Sequence, residues 1–111
     1  MSKLTNRECG AEVAARRPFV SGNKTLEGCW TTDNRRYVVK SYGYYPIFVW
    51  DADADQWFET GNGYSVTTRR HMSYTRPTGN TRVVPHATLE VIWREGFAAV
   101  ALDIVKGRKA A

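Results

Sequence analysis

Two imidazoles, His71 and His86, and two thiols, Cys9 and Cys29, are the side chains of this chain most easily recruited for chemistry near neutral pH. Histidine would serve proton transfer, and the four groups together have the ligand count of a zinc site. Their scattered spacing matches no zinc finger or ribbon. No Gly-x-Ser-x-Gly elbow, His-Glu-x-x-His helix or phosphate-binding glycine motif accompanies them. The reading is a binding protein and not an enzyme, with no metal and no cofactor. Asp51-Ala52-Asp53-Ala54-Asp55 has the alternating carboxylates of a calcium loop. Gln56 stands where that loop needs glycine and Asn62 where it needs a bidentate glutamate, so a solvated hairpin tip is expected.

Charge is a stronger signal than catalytic pattern. The net charge is +5, from 16 Lys+Arg against 11 Asp+Glu, and it is unevenly spread. Residues 41–59 hold four acids and no base, whereas residues 60–89 hold Arg69, Arg70, Arg76 and Arg82, both histidines and no acid. A stretch without carboxylates suits an anion-facing surface. Thr67 or Thr68 would cap a short helix there, and its free amides would favour an anion beside Arg69, Arg70 and His71. The competing reading is a capped surface helix whose arginines pair with the acidic hairpin. Tyr42, Tyr44 and Tyr45 surround Gly43 beside Lys40, an arrangement suited to stacking on bases or to a protein contact.

Two binding surfaces follow. The first would contact nucleic acid or a nucleoprotein through Arg69, Arg70, His71, Arg76 and Arg82, extended by Arg35 and Arg36. The second, of a different class, would be a protein-protein inhibitor of an enzyme through Asp51, Asp53, Asp55 and the tyrosines Tyr42, Tyr44 and Tyr45. A nuclease using His71 is the third reading.

The ordered set Tyr37-Val38-Val39-Lys40-Ser41-Tyr42-Gly43, Pro46-Ile47, Trp57 and Tyr64-Ser65-Val66-Thr67-Thr68 with Arg70-His71 resembles a small domain of unknown function common in bacteriophage and archaeal-virus genomes. The likeness spans Phe19–Met72. It implies a viral accessory protein acting in host takeover or anti-defence, an anti-CRISPR-like factor being one such role, in the cytoplasm of the infected cell. The family pattern carries over no catalytic residue. Tyr44-Tyr45 ahead of Pro46 and Arg69-Arg70 ahead of His71 make this copy more aromatic and more basic than the pattern.

The elements that must position these groups follow from length and periodicity. At 111 residues, 42% apolar and 24% charged, one globular domain is expected. Two cysteines fit a reducing cytosol, and no apolar run approaches the roughly 20 residues of a membrane span. The fold expected is α+β: a curled antiparallel meander of three to four strands covered by a C-terminal helix, with a short N-terminal helix alongside. Residues 1–18 carry the N-terminal helix, opened by the Thr5-Asn6-Arg7-Glu8 capping box and closed by Pro18. Residues 19–84 carry the meander and the basic helix, with Tyr37, Val39 and Ser41 on one strand face. Residues 85–107 carry the C-terminal helix, on the stripe Leu89, Ile92, Trp93, Gly96, Phe97, Val100 and Ile104, stopped at Gly107. A turn at Gly96 would instead make Leu89–Trp93 and Phe97–Val105 a hairpin. Trp50, Trp57 and Trp93 are expected inside, with Trp50 and Trp57 stacked across a hairpin, and two tyrosines outside.

Overall fold

The computed structural model describes residues 5, 8–22, 24–61, 66–77 and 80–101, and of residues 66 and 67 the backbone alone. The fold is α+β, as the patterning predicts. Its elements are α1 (Cys9–Ala14), β1 (Phe19–Val20), β2 (Leu26–Trp30), β3 (Arg36–Ser41), β4 (Tyr45–Asp51), β5 (Gln56–Thr60), α2 (Val66–Thr75), β6 (Thr81–Val84) and α3 (His86–Glu95). The sheet runs β1 to β6 in sequence order. It is antiparallel from β1 to β5, and α2 then crosses over to deliver β6 parallel to β5, with Trp57 opposite Thr81 and Thr60 opposite Val84. Six strands thus replace the three or four expected. The Thr81-Arg82-Val83-Val84 run was the β-branched signal for the last of them.

Strand alternation sends side chains to two covered faces. Tyr37, Val39, Phe48, Trp57 and Leu26 meet Cys9 and Val13 of α1 and Met72 of α2. Val38, Val49 and Phe58 meet Leu89 and Ile92 of α3, with Val84 and Val100. Both faces of β3 are therefore buried, which accounts for its continuous apolar run. A bulge in β4, where Val39 opposes Phe48 but Lys40 opposes Pro46, admits Ile47 and Phe48 to the same core. Trp50 and Trp57 are register partners, as expected of that hairpin, but their rings, with centroids 5.7 Å apart, are tilted by 54° rather than stacked. Trp57 is buried, while Trp50 and Trp93 are only partly so.

The amino end forms the predicted capping box: the Thr5 amide donates to Glu8 Oε1 at 2.8 Å and the Glu8 amide to Thr5 Oγ1 at 3.2 Å. The helix itself, Cys9–Ala14, occupies only part of the 1–18 segment read as carrying it, and Val13 docks fully buried against the sheet. Two core rings hold its exit. Tyr37 Oη donates to the Arg17 carbonyl at 2.7 Å, and Trp30 Nε1 donates to the Arg16 carbonyl at 2.9 Å. The C-terminal stripe is helical, but not in one piece. It breaks at Gly96, whose φ of +96° leaves the helical region, and resumes from Phe97 to the last described residue, Ala101. Neither the unbroken helix nor the hairpin forms, and Ile104 and Gly107 lie outside the described residues. No helix among the described residues is long and apolar enough to cross a membrane.

Two glycines permit close packing. A Cβ on Gly28 would sit 2.3 Å from Tyr37 Oη and 2.4 Å from the Phe19 ring; one on Gly10 would sit 2.7 Å from the Tyr74 carbonyl oxygen, where α1 crosses α2. Gly28→Ala and Gly10→Ala should each lower stability by about 1–3 kcal/mol through overpacking. The check is the urea unfolding midpoint, expected to fall with an unchanged slope.

Candidate functional site

The chain gathers hydroxyls, imidazoles and tyrosines at one end of the sheet. β3 ends there at Ser41, β4 begins there, and the parallel strands β5 and β6 both finish there. Ser41 Oγ and His71 Nδ1 are hydrogen-bonded at 2.7 Å, the direction being set by the imidazole tautomer, and both residues are buried. Thr60 Oγ1 and His86 Nδ1 are bonded in the same way at 3.0 Å, and His86 Nε2 lies 3.6 Å from Glu90. The Tyr45 ring stacks on His86 at 4.1 Å and 10°, and the Tyr42 ring leans on His71 at 5.4 Å. The histidines are thus separate posts that hold the β3–β4 hairpin. Desolvation by burial pulls the His71 pKa below its ordinary 6.5, so the neutral ring is the stable form.

The hairpin tip itself is exposed. Tyr42 and Gly43 have φ of +58° and +78°, the two positive values of a type I′ turn, closed by the Tyr44 amide donating to the Ser41 carbonyl at 3.4 Å. Tyr42 retains 49% of its surface and Tyr44 65%. Among the described residues these are the two exposed tyrosines; Tyr45 is committed to His86.

The basic set divides. On α2, Thr68, His71, Met72 and Thr75 face the sheet, which leaves Arg69 and Arg70 exposed. Neither arginine has an ion-pair partner among the described residues. His71, read as part of that surface, points inward instead because its register on the helix matches the buried face. Arg76 Nη1 donates to Glu59 Oε1 at 2.7 Å, and Thr81 Oγ1 bonds the same carboxylate. Burial would raise the Glu59 pKa, but the hydrogen bonds from Arg76 and Thr81 outweigh it and hold the carboxyl below its usual range. Arg82 lies on the opposite side of the sheet from α2, its guanidinium 5.6 Å from the Phe97 ring centroid. Arg35 Nε donates to Asp53 Oδ2 at 3.0 Å. Arg36 is buried, donating to the carbonyls of Trp93 at 2.9 Å and Arg94 at 3.2 Å. Seven residues read as one surface therefore resolve into two exposed arginines on α2, a third on the far face, and four engaged internally.

The acidic hairpin changes role as well. Asp51 is buried; its Oδ1 accepts the amides of Asp53 and Ala54 at 2.9 and 3.1 Å, and its Oδ2 accepts that of Phe97 at 2.6 Å. Asp53 faces Arg35, which leaves Asp55 as the exposed carboxylate of the three without an ion pair among the described residues. The four groups with zinc-ligand chemistry are not brought together either, since Cys9 packs on one sheet face and Cys29 against the other. Burial pushes the Cys9 thiol up to about 11, which makes it a protonated core side chain. What the sequence reading missed is the convergence of the tyrosine hairpin with α2; the Ser41–His71 bond that creates it joins residues with no local pattern in common.

Comparison with protein-family models, curated proteins and solved structures finds no match.

Two outcomes follow. Stability should be fullest above pH 6.5 and decline as pH falls from there through the lower folded-state pKa of His71, because the unfolded chain takes up the proton more readily. His71→Gln should flatten that part of a melting-temperature profile. Asp51→Ala should cost about 2–4 kcal/mol by leaving three buried amides without their acceptor, while Asp55→Asn, which suits the φ of +53° at that position, leaves thermal unfolding unchanged.

Proposed function

We propose that the chain is a binding protein that engages nucleic acid, free or held in a host nucleoprotein, through the exposed arginines of α2 and the tyrosine hairpin beside them. The observation that carries this reading is the adjacency itself. Tyr42 leans on His71, so the hairpin tip adjoins the turn of α2 that presents Arg69 and Arg70 to solvent. Guanidinium groups free of ion pairs attract phosphate, and exposed aromatic rings offer stacking faces. The excess of positive charge, +5 overall with no acid from residue 60 to 89, favours a polyanion over a cationic partner. The resemblance to the viral domain supports an accessory role in an infected cell, in host takeover or anti-defence. An inhibitor acting through the acidic hairpin has less to work with, because Asp51 and Asp53 are occupied by the fold.

Binding should be electrostatically shallow. Two phosphate contacts imply a log-log salt slope of about −1.4 to −1.8, against roughly −5 if all six arginines of the sequence-derived set contributed. Arg69→Gln and Arg70→Gln should each weaken binding of a labelled oligonucleotide and reduce the slope by about one. Affinity indifferent to both substitutions, or to salt, would reject the reading.

A further inference from the structure

The β3–β4 turn holds a residue that its geometry does not favour. A type I′ turn needs left-handed backbone at both central positions, and asparagine followed by glycine is the sequence that adopts it most readily. Here the first position is Tyr42, at φ +58°, a conformation in which a bulky side chain is strained. Packing does not account for the choice, since the ring is still 49% exposed after leaning on His71. Tyr44, on the other side of Gly43, is 65% exposed and takes no part in either core. The hairpin is held firmly from below: Tyr42 donates its amide to the Thr25 carbonyl at 2.7 Å, and Ser41 and Tyr45 are anchored on His71 and His86. Two aromatic rings are thus displayed on a rigid tip, one of them at a conformational cost.

Resting on the nucleic-acid reading above, we infer that the ligand is single-stranded and that Tyr42 and Tyr44 are its base-stacking residues. The physical ground is accessibility of the ligand's own surfaces. A duplex offers a protein its phosphates and base edges, with the base faces hidden in the stack, so exposed tyrosines would find no partner there. An unpaired strand offers base faces to any aromatic platform, largely without regard to sequence. The charge beside the hairpin points the same way. Among the described residues α2 presents two exposed arginines there, Arg69 and Arg70, too few to hold a duplex by phosphate contact, so stacking must provide the remaining affinity.

The test is fluorescence anisotropy of the full chain with a labelled oligothymidine and with the same strand annealed to its complement, at low salt. The single strand should bind more tightly than the duplex. Tyr44→Ala should weaken single-strand binding roughly tenfold, the equivalent of one lost stacking contact, while leaving the melting temperature unchanged because the ring is not packed. Tyr42→Asn separates display from packing: it suits the turn, so the melting temperature should hold or rise while single-strand affinity falls. Equal affinity for both forms, with neither tyrosine substitution having an effect but Arg69→Gln still weakening binding, would overturn the stacking inference and leave the phosphate reading standing. No binding to either form would defeat both, and so would capture of a protein partner that depends on Tyr42 and Tyr44 without nucleic acid.

Discussion

The architecture depends on one pair of opposite charges used as backbone caps. Arg36 and Asp51 face each other across β3 and β4, at the end of the sheet away from the tyrosine hairpin. The guanidinium donates to the carbonyls with which α3 ends, and the carboxylate accepts from the amide with which the next helical turn begins. Helix ends leave such groups unpaired, and burying them without partners is costly. Gly96 makes the arrangement possible, since a side chain there would press on the Arg36 guanidinium at 3.2 Å and would be strained at φ +96°. The pair thereby sets where α3 stops, how the chain turns, and which sheet face α3 covers.

The same logic governs the other charges near the sheet. Glu59 sits in the core-facing row of β5 and needs compensation, which Arg76 and Thr81 bring from either end of the α2–β6 connection. That bond fastens the crossover to β5, the strand beside which β6 must lie in parallel. Lys40, on the face toward α3, pairs with Glu27 and lies 5.4 Å from the Trp93 ring centroid. Much of the charge near the sheet is structural, and of the arginines read as one binding surface those left without an ion pair among the described residues are Arg69 and Arg70 on the outward side of α2 and Arg82 on the far face. A functional surface emerges here by subtraction.

Aromatic residues divide along similar lines. Tyr37 and Trp57 meet edge to face in the core, Tyr45 covers His86, and Tyr42 and Tyr44 remain outside. Histidine, the residue type with the most obvious chemical promise, is spent on supporting the hairpin. The buried imidazole of His71, bonded to the Ser41 hydroxyl, is a rigid spacer, and its value to the binding surface is the position it gives to the ring above it.

Local patterns were enough to determine the class of the fold, the capping box, the faces of β3, the Trp50–Trp57 pair, and a helical C-terminal stripe covering the sheet. Each depends on residues within a few positions of one another or on strict alternation, and period and propensity report such relations directly. The parallel addition of β6, the break at Gly96 and the fate of the charges were decided by tertiary structure alone. A long charged side chain takes its partner from whichever strand or helix end lies alongside, so Arg36, Asp51 and Arg76 read as surface in the sequence yet close gaps in the fold. The joining of the tyrosine hairpin to Arg69 and Arg70 has the same origin: Ser41 and His71 are 30 positions apart, and only the packing of α2 on the sheet brings them within a hydrogen bond.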